Sequence, residues 1–160
     1  STLLRYLGLQ KVPAVAQTIV NALDCGALDK VIVFAKHTQV IDALAQRFKG
    51  FGVVQITGAS TPGQRQAAVD AFQSNPAARV FLGQLRAAGT AINLTAASNV
   101  YVVETEWDPS SIAQAIARAH RPGQRDAVTG YVCSLAGNAL DRAVQEIIAR
   151  KAQEIGELIG

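Results

Sequence analysis

Short, unbroken apolar runs alternate along this chain with segments of helical period, and that alternation leaves few folds open. Val31-Ile32-Val33-Phe34 has no polar position and is β-branched or aromatic throughout, the pattern of a strand covered on both faces. Val53–Ile56, Arg79–Leu82, Val100–Val103 and Val128–Leu135 read as further strands. Between them fall helices. Lys11–Leu23 puts Val12, Val15, Ile19 and Leu23 on one face, and Thr38–Phe48 puts Ile41, Leu44 and Phe48 inward. Thr61-Pro62 with Gln64 is a capping-box start for a helix reaching about Gln73 on Ala68, Ala71 and Phe72. Asn138 caps a last helix with Leu140, Val144, Ile147, Ile148 and Ile155 inward, whereas residues 1–8 carry no clear pattern. The prediction is an α/β fold: a mostly parallel sheet with helices on both faces and right-handed crossovers.

In such a sheet the working loops follow the carboxyl ends of the strands. Here these are Ala35–Thr38, Thr57–Thr61, Gly83–Thr90, Glu104–Asp108 and Leu135–Asn138. Lys36 and His37 open a helix, so Lys36 is either a phosphate contact or an exposed residue beside a capped helix. Gly58 and Ser60 sit in a small hydroxyl-rich loop that can hold a phosphate or simply cap the next helix. Glu104 and Glu106 follow a strand, but the chain supplies no ligand set or nucleophile pair to go with them. They read as groups that position neighbouring arginines or amides. No metal site is expected.

The stretch Asp108–Arg125 carries the densest signal. Asp108 suits an N-cap, Pro109 the first helical position, and Pro122-Gly123 an abrupt stop. At helical spacing Ile112, Ala115, Ile116 and Ala119 form a buried face. Gln114, Arg118 and Arg121 form the opposite, polar face, with no acidic residue at four-residue spacing to offset them. Such a face is either an ordinary solvated helix surface or a phosphate-reading one, since paired guanidiniums stay charged and match phosphate oxygens in a bidentate way.

Length and composition admit this reading without requiring it. At 160 residues the chain is one domain's worth, and at 49% hydrophobic and 17% charged it is globular rather than disordered. A net charge of +3 is compatible with nucleic acid but too small to argue for it. Cys25 and Cys133 lie in apolar surroundings with no His or Cys close in sequence, so reduced thiols are expected. No run resembles a membrane span or a signal peptide, which points to an intracellular chain, cytoplasmic in a bacterium or phage and nuclear in a eukaryote. The absence of Met and the opening S-T-L-L-R suit a domain cut from a longer protein, and simple removal of an initiator Met would look similar.

The segment Q-A-I-A-R-A-H-R-P-G-Q, residues 114–124, closely resembles motif VI of the Swi/Snf-type ATP-dependent DNA translocases of helicase superfamily 2. The family pattern is Gln-Ala-x-x-Arg-x-His-Arg-x-Gly-Gln, and Gln114, Ala115, Arg118, His120, Arg121, Gly123 and Gln124 match each fixed position. The final Gln stands where RNA helicases of the DEAD-box kind usually have Arg. V-I-V-F-A-K-H resembles motif IV. Arg86 with Gly89, Ile92, Asn93 and Leu94 resembles motif V, although Ala88 and Ala91 replace two family glycines. Glu104-Thr105-Glu106-Trp107-Asp108-Pro109 resembles the family's Asp-Ser-Asp-Trp-Asn-Pro, and Lys11–Val15 looks like the run-in of the annealing-helicase branch. The resemblance covers Lys30 to Ala127 in order and spacing.

What the resemblance implies is a single C-terminal RecA-like lobe over residues 1–160. It would comprise a helical lead-in (1–29), a motif-bearing core (30–136) and a C-terminal helix (137–160) in a three-layer α/β/α sandwich. The implied catalytic residues are Arg118 and Arg121, acting as arginine fingers. Nucleotide contacts would come from Gln114, Gly89, Arg118 and Arg121, and DNA contacts from Lys36, His37, Gly58, Ser60, Arg86 and Thr90. ATP and Mg²⁺ would be held mainly by an N-terminal RecA-like lobe, because the chain has no G-x-x-x-x-G-K-[ST] loop and no Asp-Glu-x-His box. The other partner is double-stranded or forked DNA, and the chain alone should not hydrolyse ATP. A second reading stays open: a non-catalytic nucleic-acid-binding or partner-docking module with its arginines on DNA phosphate. A dinucleotide-binding enzyme is disfavoured, since no G-x-G-x-x-G follows a strand.

Overall fold

The computed structural model describes residues 2–87, 92–104 and 109–135. Five strands, β1 (Val31–Ala35), β2 (Val53–Ile56), β3 (Val80–Gln84), β4 (Asn99–Val102) and β5 (Thr129–Val132), form one sheet in the order β2-β3-β1-β4-β5. Every pairing is parallel. Four helices, α1 (Thr2–Asp24), α2 (Thr38–Arg47), α3 (Pro62–Ser74) and α4 (Pro109–Ala117), complete the described residues.

Alternate residues of the central strands feed two separate cores, as the strand period of two requires. On one face Ile32, Phe34, Phe81, Val100 and Val102 pack with Val69 and Phe72 of α3 and Ile112 and Ala115 of α4. On the other, Val31, Val33, Ala35, Val80 and Leu82 pack with Val12, Ala16, Ile19 and Leu23 of α1 and Val40, Ile41 and Leu44 of α2. β1, central in the order, is buried along its whole length. The fold is the expected α/β/α sandwich.

Several local expectations need correction. α1 starts at Thr2, nine positions before the expected Lys11, and carries Pro13 inside it. Gly8 and Pro13 disguise the segment in the sequence, as both oppose helix interiors. Gly8 is there because the Glu104 carboxyl carbon would lie 2.7 Å from any Cβ at that position. In α3 the buried pair is Val69 and Phe72, while Ala71 is only half-buried. The capping box at Thr61 and Gln64 forms as read, with both reciprocal bonds present. β3 runs two residues further than expected, to Gln84, and β5 is a shorter, exposed edge strand. The helix expected from Asn138 lies outside the described residues.

Gly50 and Gly52 both have positive φ, +97° and +69°, in the turn between α2 and β2. Nothing lies within 4 Å of a Cβ at Gly50, whereas one at Gly52 would overlap the Ala77 carbonyl oxygen. Gly50→Ala should therefore cost only the backbone term, about 1–2 kcal/mol. Gly52→Ala should cost distinctly more in urea unfolding, and equal losses would contradict the close approach.

Candidate phosphate-binding site

Because all strands run one way, the carboxyl ends of β1, β2 and β3 open on the same rim. Their loops enclose a groove of about 470 Å³ lined by Lys36, His37, Gly58, Arg65, Gln84, Arg86 and Ala87. Four of the residues singled out for DNA, Lys36, His37, Gly58 and Arg86, thus come together. Lys36, Arg65 and Arg86 make the lining cationic, with no carboxylate among the residues named.

Polar side chains shape this rim. Glu104, just past β4, is 3% exposed. Its Oε1 accepts from the backbone amides of Lys36 (3.0 Å) and His37 (2.9 Å), and its Oε2 meets His37 Nδ1. The expectation that this acid positions neighbouring amides is met. Nothing in the local residue pattern marks His37, at the N-cap of α2 and without a side-chain cap bond, as the group it also grips. Gln84, the last residue of β3, accepts from the Gly58 amide at 2.7 Å and donates to the Lys36 carbonyl at 3.1 Å and Thr38 Oγ1 at 3.2 Å. Arg65 donates to the carbonyls of Ser60 (3.3 Å) and Ala87. Ser60 itself is outside the groove lining: its hydroxyl accepts from the Thr57 amide at 2.9 Å and closes its own turn.

Sequence reasoning missed Arg65 and Gln84. Each left a trace. A cation in the first turn of a helix opposes the helix dipole, which asks for another reason to be there. A glutamine ending an otherwise apolar buried strand stands at the loop-bearing rim.

The arginine pair occupies a different place. α4 spans nine residues, about 13 Å at 1.5 Å per residue, which matches a four-residue strand. Following β4 and preceding a parallel β5, it returns toward the amino ends of the strands. Its end is docked there: the Arg118 carbonyl accepts from the Leu94 amide at 2.9 Å, and Gln124 Nε2 donates to the Ala97 and Ala119 carbonyls at 2.8 and 3.0 Å. Leu94 and Ala97 lie in the connection that leads into β4.

The helix also ends sooner than expected, so the polar face is not the one the spacing suggested. After Ala117 the bonds tighten, Arg118 N–H to Ala115 O and Ala119 N–H to Ile116 O, and the chain turns. Gln114 remains exposed on α4, but Arg118 is 6% exposed and Arg121 half-buried. Burial lowers the Arg118 proton affinity from its ordinary value, and the nearby Arg121 cation lowers it further. The two guanidiniums are therefore neighbours, though not on one solvent face. Gly89 and Thr90, with Asp108, lie outside the described residues.

A model of the helicase conserved C-terminal domain matches residues 12–123. The chain is 31% identical over 169 residues to the chromatin-remodeling ATPase INO80 of Mycosarcoma maydis, covering 98% of this chain and 9% of that protein. It is 35% identical over 134 residues to the Drosophila melanogaster SWI/SNF-related matrix-associated actin-dependent regulator of chromatin subfamily A-like protein 1, covering 82% and 17%. The chain belongs to the helicase C-terminal domain family, in its Swi/Snf-type branch. The crystal structure of the C-terminal part of the Fun30 ATPase domain shares its fold, with a TM-score of 0.78 at 24% identity over 86% of this chain and 44% of that one. The helicase lobe thus spans under a fifth of the length of either relative.

Within this lobe the Glu104 carboxylate is the brace under the β1 loop. Glu104→Ala should leave the Lys36 and His37 amides unpaired, at about 1–3 kcal/mol each. Glu104→Gln keeps an accepting oxygen and should cost less. Amide hydrogen exchange at Lys36 and His37 reports this directly, and unchanged protection in the Ala variant would refute the brace.

Proposed function

We propose that this chain is the second motor lobe of an ATP-dependent double-stranded DNA translocase, formed as one lobe over residues 1–160. The observation that carries the reading is the cationic groove: Lys36, Arg65 and Arg86 surround the Gly58 loop on one rim. Three cations around one groove suit phosphodiester oxygens and offer little to read a base sequence. His37 and Thr90 would extend that contact, and Ser60 would support it by holding its turn. Grip on backbone rather than bases fits movement along a duplex or a fork.

ATP and Mg²⁺ suit the chain unequally. Among the described residues no three His, Cys, Asp or Glu side chains gather to hold a metal. The neighbouring guanidiniums of Arg118 and Arg121 do suit a polyphosphate, because their donor forks match phosphate oxygens. When bound, ATP supplies the phosphoryl transfer, and an N-terminal RecA-like lobe of the same protein holds its phosphates and Mg²⁺. This lobe contributes Arg118 and Arg121 as charge-offsetting donors to the γ-phosphate, with Gln114 and Gly89 as further nucleotide-binding residues. The chain alone does not hydrolyse ATP. Its parent acts where DNA is held, in the nucleus of a eukaryote or the cytoplasm of a bacterium.

In the full-length protein, Arg118→Ala should slow hydrolysis about 10³–10⁵-fold while sparing most nucleotide binding. Turnover at the wild-type rate would remove the finger assignment. Lys36→Ala and Arg86→Ala should each weaken DNA binding for all sequences alike and reduce the slope of log affinity against log salt by about 0.9. DNA binding that ignores both substitutions would remove the groove assignment.

A further inference from the structure

Among the described residues, Gln84 is the one neutral side chain whose amide spans the groove from loop to loop. β3 lies between β2 and β1, and Gln84 is in register with Ala35 at the end of β1. Neighbouring strands are about 4.8 Å apart, within the reach of a glutamine in the middle strand. Its oxygen takes the Gly58 amide after β2, and its nitrogen takes the Lys36 carbonyl after β1 and the Thr38 hydroxyl at the start of α2. One amide thus sets the relative position of two loops that the sheet itself leaves unlinked beyond Ile56 and Ala35.

We propose that Gln84 is a positioning residue for phosphate-backbone binding. It fixes the Lys36 and Gly58 loops relative to one another, so the lobe's grip on DNA depends on a residue that carries no charge. The inference rests on the groove being the DNA-backbone site.

That role has a signature that other roles lack. A glutamine that touched a phosphate itself would add affinity without releasing a counterion, so its loss would leave the salt slope unchanged. A glutamine that only stabilised the fold would reduce the active fraction equally at every salt concentration. A glutamine that aims Lys36 removes a cation's contact when it is lost, so the slope falls although no charge has changed.

The test uses the full-length protein and a duplex of fixed sequence, titrated at several salt concentrations. Gln84→Ala should lower the slope by up to about 0.9, the value of one phosphate contact. In a Lys36→Ala background, Gln84→Ala should cost far less than it does alone, because residues acting as one unit are not additive. Gln84→Asn, which keeps the amide but is shorter by one methylene, should also reduce the slope. It serves as the measured variant if Gln84→Ala does not fold. If Lys36→Ala and Arg86→Ala weaken binding while the Gln84 variants keep the wild-type slope or combine additively with Lys36→Ala, the positioning role is overturned and the groove stands. If Lys36→Ala and Arg86→Ala have no effect, the groove assignment fails and this inference fails with it.

Discussion

The single direction of the five strands governs this structure. A parallel pair cannot be closed by a tight hairpin, so each connection must cross the sheet and cover a face of it. Connections from β1 to β2 and from β2 to β3 run in opposite directions along the strand order, and α2 and α3 accordingly lie on opposite faces. The two helical layers that give the strands their all-apolar sequences follow from that. So does the gathering of three carboxyl-end loops at one rim.

A gathered rim is not yet a site, because loops at strand ends have backbone groups that the ladder no longer satisfies. Polar side chains supply the missing order here. Glu104 takes two amides from the β1 loop, Gln84 links that loop to the next, and Arg65 ties the Ser60 and Ala87 carbonyls across α3 and β3. The apolar layers fix where the strands end, and these side chains fix what happens one or two residues later. Groove-lining cations such as Lys36 then sit on a backbone held from below.

Much of this was legible in the residues, and the failures have physical causes. Val31–Phe34 announced a strand buried on both faces because apolar runs need no periodicity to be read. Thr61 with Gln64 announced a helix start because the capping chemistry is local. The first half of α1 was hidden, since Gly8 and Pro13 oppose helices and only the distant Glu104 explains one of them. Arg118 was misplaced for a similar reason. Its burial depends on where α4 stops, and that is set by Leu94 and Gln124, which hold the turn from outside the helix. Of the groove residues, Lys36, His37, Gly58 and Arg86 were found through local pattern and family likeness. Gln84 and Arg65 became visible only when the sheet order put their partners beside them.

The separation of the two cationic surfaces is the consequence that bears most on mechanism. The groove sits at the carboxyl rim, whereas Arg118 and Arg121 lie past the end of a helix that has run back along the sheet. Two anions bound at these places would not share a pocket. The chain between β3 and β4 has described residues beside both places. They are Ala87, whose carbonyl Arg65 holds, and Leu94, whose amide is bonded to the Arg118 carbonyl. Gln73 of α3 grips the same connection at Thr95 Oγ1 and the Ala96 amide. Arg65 and Gln73 therefore stand on one helix and hold the two ends of one segment. Helix α3 thus touches both the groove, through Arg65, and the segment whose Leu94 amide bonds the Arg118 carbonyl, through Gln73.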